Sequence, residues 1–447
     1  MQIFTLAEVA LWLNLPVILS RLPVQSVVTD SREVQGGELF VALKGERTDG
    51  HTFLEEVASK GAIAALVAND YQDSDYGLTL IRVPDVLAAL QEMAKKRLSG
   101  VQPKIIGVTG SVGKTTTKEF IATLLSKRYR VGKSPGNANS QVGVPKTILN
   151  IRGDEEVLVL EMGMTEAGQI SRLIEMAPPD IAVITTIGHA HMEFFPEGME
   201  GIAAAKAEIY AHPLTQWGVA NIRTKEFPSV LASGCCQKLF VGTVSESDWK
   251  FSMEEEGIRL ETKQGISPCI QLPFSASHLV EDFALAAAVA SLFGISFEEI
   301  ASQSKELATY KNRYEILNKE GVLFLNDSYN ASPESMCAAL DNLPTRHGKV
   351  IGVFGEMKEL GRSSVEAHRK VALHALDKID YLLCFGKGCI PMVEVFSSFS
   401  KSVELFRDFT LLKRRVYELA EEGDLVLLKG ANSCQLWKVL DHEESVV

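Results

Sequence analysis

Val108-Thr109-Gly110-Ser111-Val112-Gly113-Lys114-Thr115-Thr116-Thr117 joins a short β-branched run at 104–108 to a helix-length pattern at 114–127. A glycine-rich turn between a strand and a helix is the context in which a phosphate-cradling loop works. Gly110 and Gly113 allow backbone N–H groups to approach a triphosphate, with Ser111 and Val112 between them. Lys114 reaches the β/γ oxygens, and the hydroxyl of Thr115, followed by Thr116, is placed to ligate Mg²⁺. The usual eight-residue fingerprint has glycine where this chain has Val108, so the segment is a shorter variant of it.

The 447 residues, 46% of them hydrophobic, exceed what one core organises, and three domains are expected. A net charge of −12 excludes a nucleic-acid surface and favours a protein that meets anionic substrates with metal ions. The seven cysteines have no metal-ligand spacing and read as thiols of a reducing compartment, with Cys235 and Cys236 too close in sequence to bridge. The apolar stretch 9–19 is interrupted by Asn14 and Pro16, and no run of eighteen apolar residues occurs, so a cytoplasmic chain is expected.

Residues 1–99 read as a small α/β unit, with a helix at 87–98 and the linker-like Ser99-Gly100-Val101-Gln102-Pro103 after it. Residues 100–310 alternate short apolar strands with helical patterns, which predicts a mostly parallel sheet with crossover helices. Within them, 241–272 lacks helix signals and is expected to form antiparallel strands at the sheet edge, and 278–293 an alanine-rich buried helix. The alternation restarts over 311–447, with strands at 322–325, 349–354, 381–385 and 424–428. In open α/β sheets ligands bind beyond the carboxyl ends of the strands, which marks 326–330 and 355–357 as site loops.

The strand at 157–160 ends in Glu161, which alone is an ordinary strand-end acid. Beside the phosphate loop it becomes the leading partner of Thr115 for Mg²⁺. The next strand ends near His189, His191 and Glu193, and the following helix carries Lys206. By composition these are polar loop residues and a solvated lysine.

Six segments together resemble the Mur ligase family: 109–117, Gly-Asn-Ala-Asn at 136–139, Glu-Met-Gly at 161–163, Ile-Gly-His-Ala-His-Met-Glu at 187–193, Ala-Ala-Ala-Lys-Ala-Glu-Ile at 203–209, and Asp-Ser-Tyr-Asn-Ala-Ser-Pro at 327–333. The resemblance covers all three domains. It implies a nucleotide-sugar-binding first domain, a central ATPase domain and a Rossmann-like third domain. The runs 327–336 and 355–361, with no Asp-Asn-Pro-Arg tetrapeptide in the last domain, favour the member that adds D-alanyl-D-alanine to UDP-N-acetylmuramoyl-tripeptide over the one that adds a diamino acid. The expected chemistry is ATP-dependent formation of an acyl phosphate and its capture by an amine, in cytoplasmic peptidoglycan precursor synthesis by a monomer.

The same resemblance implies that Thr115 and Glu161 hold one Mg²⁺, and that His191 and Lys206, carbamylated by CO₂, hold a second. Asn137, Asn139, His278, Arg313, Asp327 and Tyr329 fall to the nucleotide, Asn330 to the substrate, and Ser31, Arg32, Lys44 and Thr48 to the uridine diphosphate. At the adenine-side helix the chain departs from the family, with Leu279 and Asp282 where asparagines are common. Two alternatives stay open: another ligase of this superfamily, such as a tripeptide synthetase or a folylpolyglutamate synthase, and a phosphate-loop switch or motor.

Overall fold

The computed structural model describes residues 3–15, 21–45, 48–263 and 265–441. Residues 16–19 of the apolar stretch 9–19 lie outside them. The described residues form three α/β sheets and one short two-stranded ribbon.

The central sheet is built around the strand Lys104–Thr109, flanked by Val157–Glu161 on one side and Ile181–Ile184 on the other, all parallel. These strands read as continuous apolar runs because both faces are covered; 105–109, 157–161 and 181–184 are buried throughout. The sheet continues in parallel through Trp217–Asn221, Gln237–Gly242 and Trp249–Glu254, then ends in Gly257–Thr262 and Gly265–Ile266, each antiparallel to the strand before it. This is the edge expected for 241–272. One face is covered by the helix Lys114–Leu125, against which the alanine-rich helix Ser277–Leu292 packs. Small side chains on the latter let the two helices approach closely, and residues 283–290 are all buried.

A four-stranded parallel sheet (Val27–Val28, Leu39–Val41, Ala64–Ala68, Thr79–Val83) forms the first unit. The third unit is a six-stranded sheet in which only the edge strand Glu315–Lys319 runs antiparallel. Its other five strands are Val322–Asn326, Leu425–Lys429, Val350–Gly355, Tyr381–Phe385 and Ser402–Phe406. The last was not visible as a strand in the sequence; its residues after Ser402 are only half-buried, so it lacks a full apolar run.

Where a linker is expected at 99–103, the chain stays helical through Val101. The helix Val86–Val101 runs through Ser99 and Gly100 and stops on Gln102 in the left-handed region. A glycine costs a helix only about 1 kcal/mol, and here the flanking turn is anchored. Leu98 is buried, and Arg97 donates to the carbonyl of Ile151 at 3.3 Å.

The first sheet is tied to the central unit through Asn150. Its amide donates to Val27 O at 2.9 Å and accepts from Val27 N at 2.8 Å, so one side chain satisfies both backbone groups of a buried strand residue. Asn150→Ala leaves both groups unpaired and is expected to cost about 1–3 kcal/mol, read as a lowered melting transition in scanning calorimetry with little change in nucleotide affinity.

Candidate active site

The loop at 109–113 is shaped by two close approaches. Gly110 has φ +149°, and a Cβ there would lie 1.9 Å from Thr185 Oγ1; Gly113 has φ +87°, and its Cβ would lie 2.3 Å from Asp282 Oδ1. Neither position admits a side chain. The loop is also clasped to the end of the neighbouring strand. Ser111 N donates to Thr186 O at 2.7 Å, Ser111 Oγ donates to Gly188 O at 3.0 Å, and Thr186 Oγ1 donates to Val112 O at 3.1 Å. With the helix beginning at Lys114, its first-turn amides have no helical acceptors and are aimed at the space beyond the loop.

Lys114 folds back over that turn, its Nζ donating to Gly110 O at 2.7 Å. Burial pushes its pKa down, while Glu161 nearby favours the charged form. Thr115 Oγ1 donates to Glu161 Oε2 at 2.7 Å, and Asn139 Nδ2 donates to Glu161 Oε1 at 2.8 Å, so both carboxylate oxygens are engaged. The pairing of Val108 with Glu161 across adjacent strands puts this acid beside the loop. Lys206, on the helix Met199–Ala207, is 1% exposed, and its amine has neither a hydrogen bond nor an ion pair among the described residues. Burial, and next the Lys114 ammonium, push its pKa well below that of an ordinary lysine.

These groups line one cavity of about 1600 Å³ between the central and third units. It includes Ser111 to Thr116, Asn137, Asn139, Glu161, His191, Lys206 and His278 from the central unit, and Arg313, Asp327, Tyr329 and Asn330 from the third. Gly110 contributes its carbonyl to Lys114 from behind the loop. Arg313 lies over the Tyr329 ring, 4.0 Å from its centroid. Lys429 Nζ, 2% exposed, is 2.5 Å from Asp327 Oδ2 and fixes the loop that carries Tyr329 and Asn330.

The carboxylates that the third unit sends to the histidine loop carry no signal in the sequence. Glu334 pairs with His189, and Glu359 Oε2 lies 2.5 Å from His191 Nδ1. The backbones are joined too, Glu193 N donating to Glu359 O at 3.1 Å. Glu359 sits within the run 355–361, already singled out, but nothing local identifies its partner. Lys429 and Arg223, which pairs with Glu281 at the cavity wall, are likewise unmarked in the sequence.

Ser31, Arg32, Lys44 and Thr48 are not brought into this cavity. The guanidinium of Arg32 is held by Asp30 at 2.5 Å, and the carbonyl of Ser31 accepts from Lys60 Nζ at 2.9 Å. Nor is a metal cage preassembled: among the described residues no group of three or more His, Cys, Asp or Glu converges on one position. The Thr115 hydroxyl and Glu161 carboxylate are nonetheless the hard oxygen donors that Mg²⁺ takes, and it habitually completes its shell with phosphate and water oxygens.

A glycine turn feeding a helix at the carboxyl edge of a parallel sheet, with a lysine and a hydroxyl–carboxylate pair over it, defines the nucleotide-dependent phosphate-loop class. Three domain families match along the chain: "Mur ligase family, catalytic domain" over 23–97, "Mur ligase middle domain" over 108–290, and "Mur ligase, glutamate ligase domain" over 312–432. The UDP-N-acetylmuramoyl-tripeptide--D-alanyl-D-alanine ligase of Bacillus subtilis strain 168 is 36% identical over 426 residues, covering 93% of this chain and 92% of the relative. Among solved structures, MurF from Acinetobacter baumannii superposes with a TM-score of 0.85 at 27% identity, covering 98% of both chains. The MurF ligase from Thermotoga maritima in complex with ADP gives 0.78 at 30% identity, covering 94% of this chain and 97% of that one. The chain belongs to the Mur ligase family.

His278 forms an edge-on pair with Tyr314 at 5.1 Å between ring centroids, and burial pushes its pKa down to about 4 from 6.5. The folded protein therefore holds this ring neutral where the unfolded chain protonates it. Its contribution to stability is present above about pH 6.5 and is lost as pH falls toward 4. We expect NMR to place the ring's titration near pH 4, and His278→Gln to flatten the fall in stability across that window.

Proposed function

We propose that this chain is an ADP-forming amide ligase that joins D-alanyl-D-alanine to UDP-N-acetylmuramoyl-tripeptide in peptidoglycan precursor synthesis. The observation that carries the reading is the cavity in which Lys114, the Thr115–Glu161–Asn139 chain and the buried Lys206 face Arg313, Asp327 and Tyr329 of the third unit. Membership of the family, and relatives bearing that activity in their names along more than nine-tenths of the chain, support the choice of substrates.

A carboxylate does not condense with an amine in water, because oxide is a poor leaving group. Transfer of the γ-phosphoryl of ATP to the terminal carboxylate forms a C–O–P linkage and releases ADP. The free amine of the dipeptide then attacks the carbonyl carbon, the C–O bond breaks, and phosphate leaves with the electron pair while the amine gives up its proton. Such a route asks the protein for positioning and charge neutralisation. Lys114 and the loop amides hold the phosphate oxygens, and Arg313, stacked on Tyr329, brings a second cation from the opposite wall. Asp327 and Tyr329 lie toward the nucleoside, with His278, kept neutral, beside them.

The residues present fit Mg²⁺. Thr115 and Glu161 would hold one ion; His191 and Lys206, as a carbamate, would hold a second. When bound, the ions withdraw charge from the transferring phosphoryl group. The neutral amine of Lys206 is the form that takes up CO₂, with loss of one proton, and burial beside the Lys114 ammonium favours that form. Ser31, Arg32, Lys44 and Thr48 are assigned to the uridine diphosphate and Asn330 to the peptide. We take the working unit to be a cytoplasmic monomer; no helix among the described residues is long and apolar enough to cross a membrane.

Phosphate release from ATP, measured with each substrate omitted in turn, tests this reading. Strict dependence on both the UDP-muramoyl tripeptide and the dipeptide is expected, whereas equal turnover without them would mark a switch or motor. In the same assay Lys206→Ala should lose at least about tenfold in rate. Bicarbonate should stimulate CO₂-depleted wild type and leave that variant unchanged; full activity in the variant would remove the carbamate.

A further inference from the structure

Lys118 stands one turn beyond Lys114 in the same helix, and it is 0% exposed. Its Nζ donates to Ser134 O at 2.6 Å and Gly136 O at 2.7 Å, and lies 3.1 Å from Glu119 Oε1. A buried ammonium is costly unless its donors are satisfied, and an apolar side chain would fill the same space without that cost. The carbonyls it holds belong to the segment after the strand Val131–Lys133, which has no regular structure of its own through Asn139.

That segment reaches Glu161 from two sides. Ser134 Oγ accepts from Glu161 N at 3.0 Å, and Asn139 Nδ2 donates to the carboxylate itself at 2.8 Å. The other carboxylate oxygen accepts from Thr115, three residues before Lys118. The hydrogen bonds therefore close a ring: from the helix through Lys118 to the 134–139 segment, through Asn139 to Glu161, and through Thr115 back to the helix. Lys118 does not line the cavity, so it acts from behind it.

We propose that Lys118 is a positioning residue, which holds the segment carrying Asn139 so that Glu161 presents a fixed carboxylate oxygen to a divalent cation at Thr115. This rests on the nucleotide–metal reading above. Support of this kind behind a metal ligand is typically worth about 10–100-fold in affinity.

The test is a double-mutant cycle on Mn²⁺ binding in the presence of saturating ADP, read by electron paramagnetic resonance on the full-length protein. Lys118→Met and Asn139→Ala should each weaken Mn²⁺ about tenfold, and the double variant should be no weaker than about twofold beyond either. In Lys118→Met, ADP affinity without metal should stay within about twofold, a pattern general loosening of the fold would not give. Should Lys118→Met fail to fold, Lys118→Gln, which removes the charge and keeps two N–H donors on a shorter side chain, carries the same cycle. Unchanged Mn²⁺ affinity in the folded Lys118 variant, or losses that multiply in the double variant, would overturn the inference. Wild type that binds no Mn²⁺–ADP would instead sink the nucleotide–metal reading on which it rests.

Discussion

The hydrogen bond from Thr115 to Glu161 joins the first turn of one helix to the end of the strand beside the one that feeds it. Parallel pairing of 104–109 with both 157–161 and 181–184 brings three strand ends to one edge. The loop, the acid and the threonine clasp at 185–186 all occupy that edge, and the cavity begins there. Gly110 and Gly113 are required because the backbone passes too near Thr185 and Asp282 for any Cβ. A shift in the register of either strand would carry Glu161 away from Thr115.

Charge explains the rest of the design. The chain carries a net charge of −12, yet Lys118, Lys206 and Lys429 are buried, and Lys114 half-buried, in or behind the cavity. Each meets burial differently. Lys118 and Lys429 are paired with carbonyls and carboxylates, and Lys114 rests on Gly110 O near Glu161. Lys206 has no partner among the described residues, and its burial pushes its pKa well below that of an ordinary lysine. Concentrating cationic side chains at low dielectric suits a ligand with several negative oxygens, and at Lys206 it favours the neutral amine over the charged form. The third unit supplies the opposite wall, and its Glu334 and Glu359 meet the histidine loop as acids meeting bases.

Much of this was legible in the sequence, where the signal was local. The loop 109–117, Glu161 at its strand end and the buried helix after 277 follow from spacing and apolar pattern, and the structure gathers all but Gly110 of the nucleotide-side candidates around one cavity. What was hidden depends on contacts between distant segments. Lys118 looks like a solvated helix lysine until the 134–136 carbonyls fold over it, and Glu359 has no visible partner until two loops with left-handed residues meet at His191. The linker at 99–103 was misread because Ser and Gly signal a break only where packing does not hold the helix together, and Leu98 and Arg97 hold it here.

In the proposed reaction the cavity activates a carboxylate by converting it to an acyl phosphate. Placing oxygen-18 in the terminal carboxyl group of the UDP-muramoyl tripeptide and analysing the phosphate released during synthesis by mass spectrometry tests it directly. One labelled oxygen in each phosphate is the expected result. Unlabelled phosphate accompanying full peptide-bond formation would contradict the account.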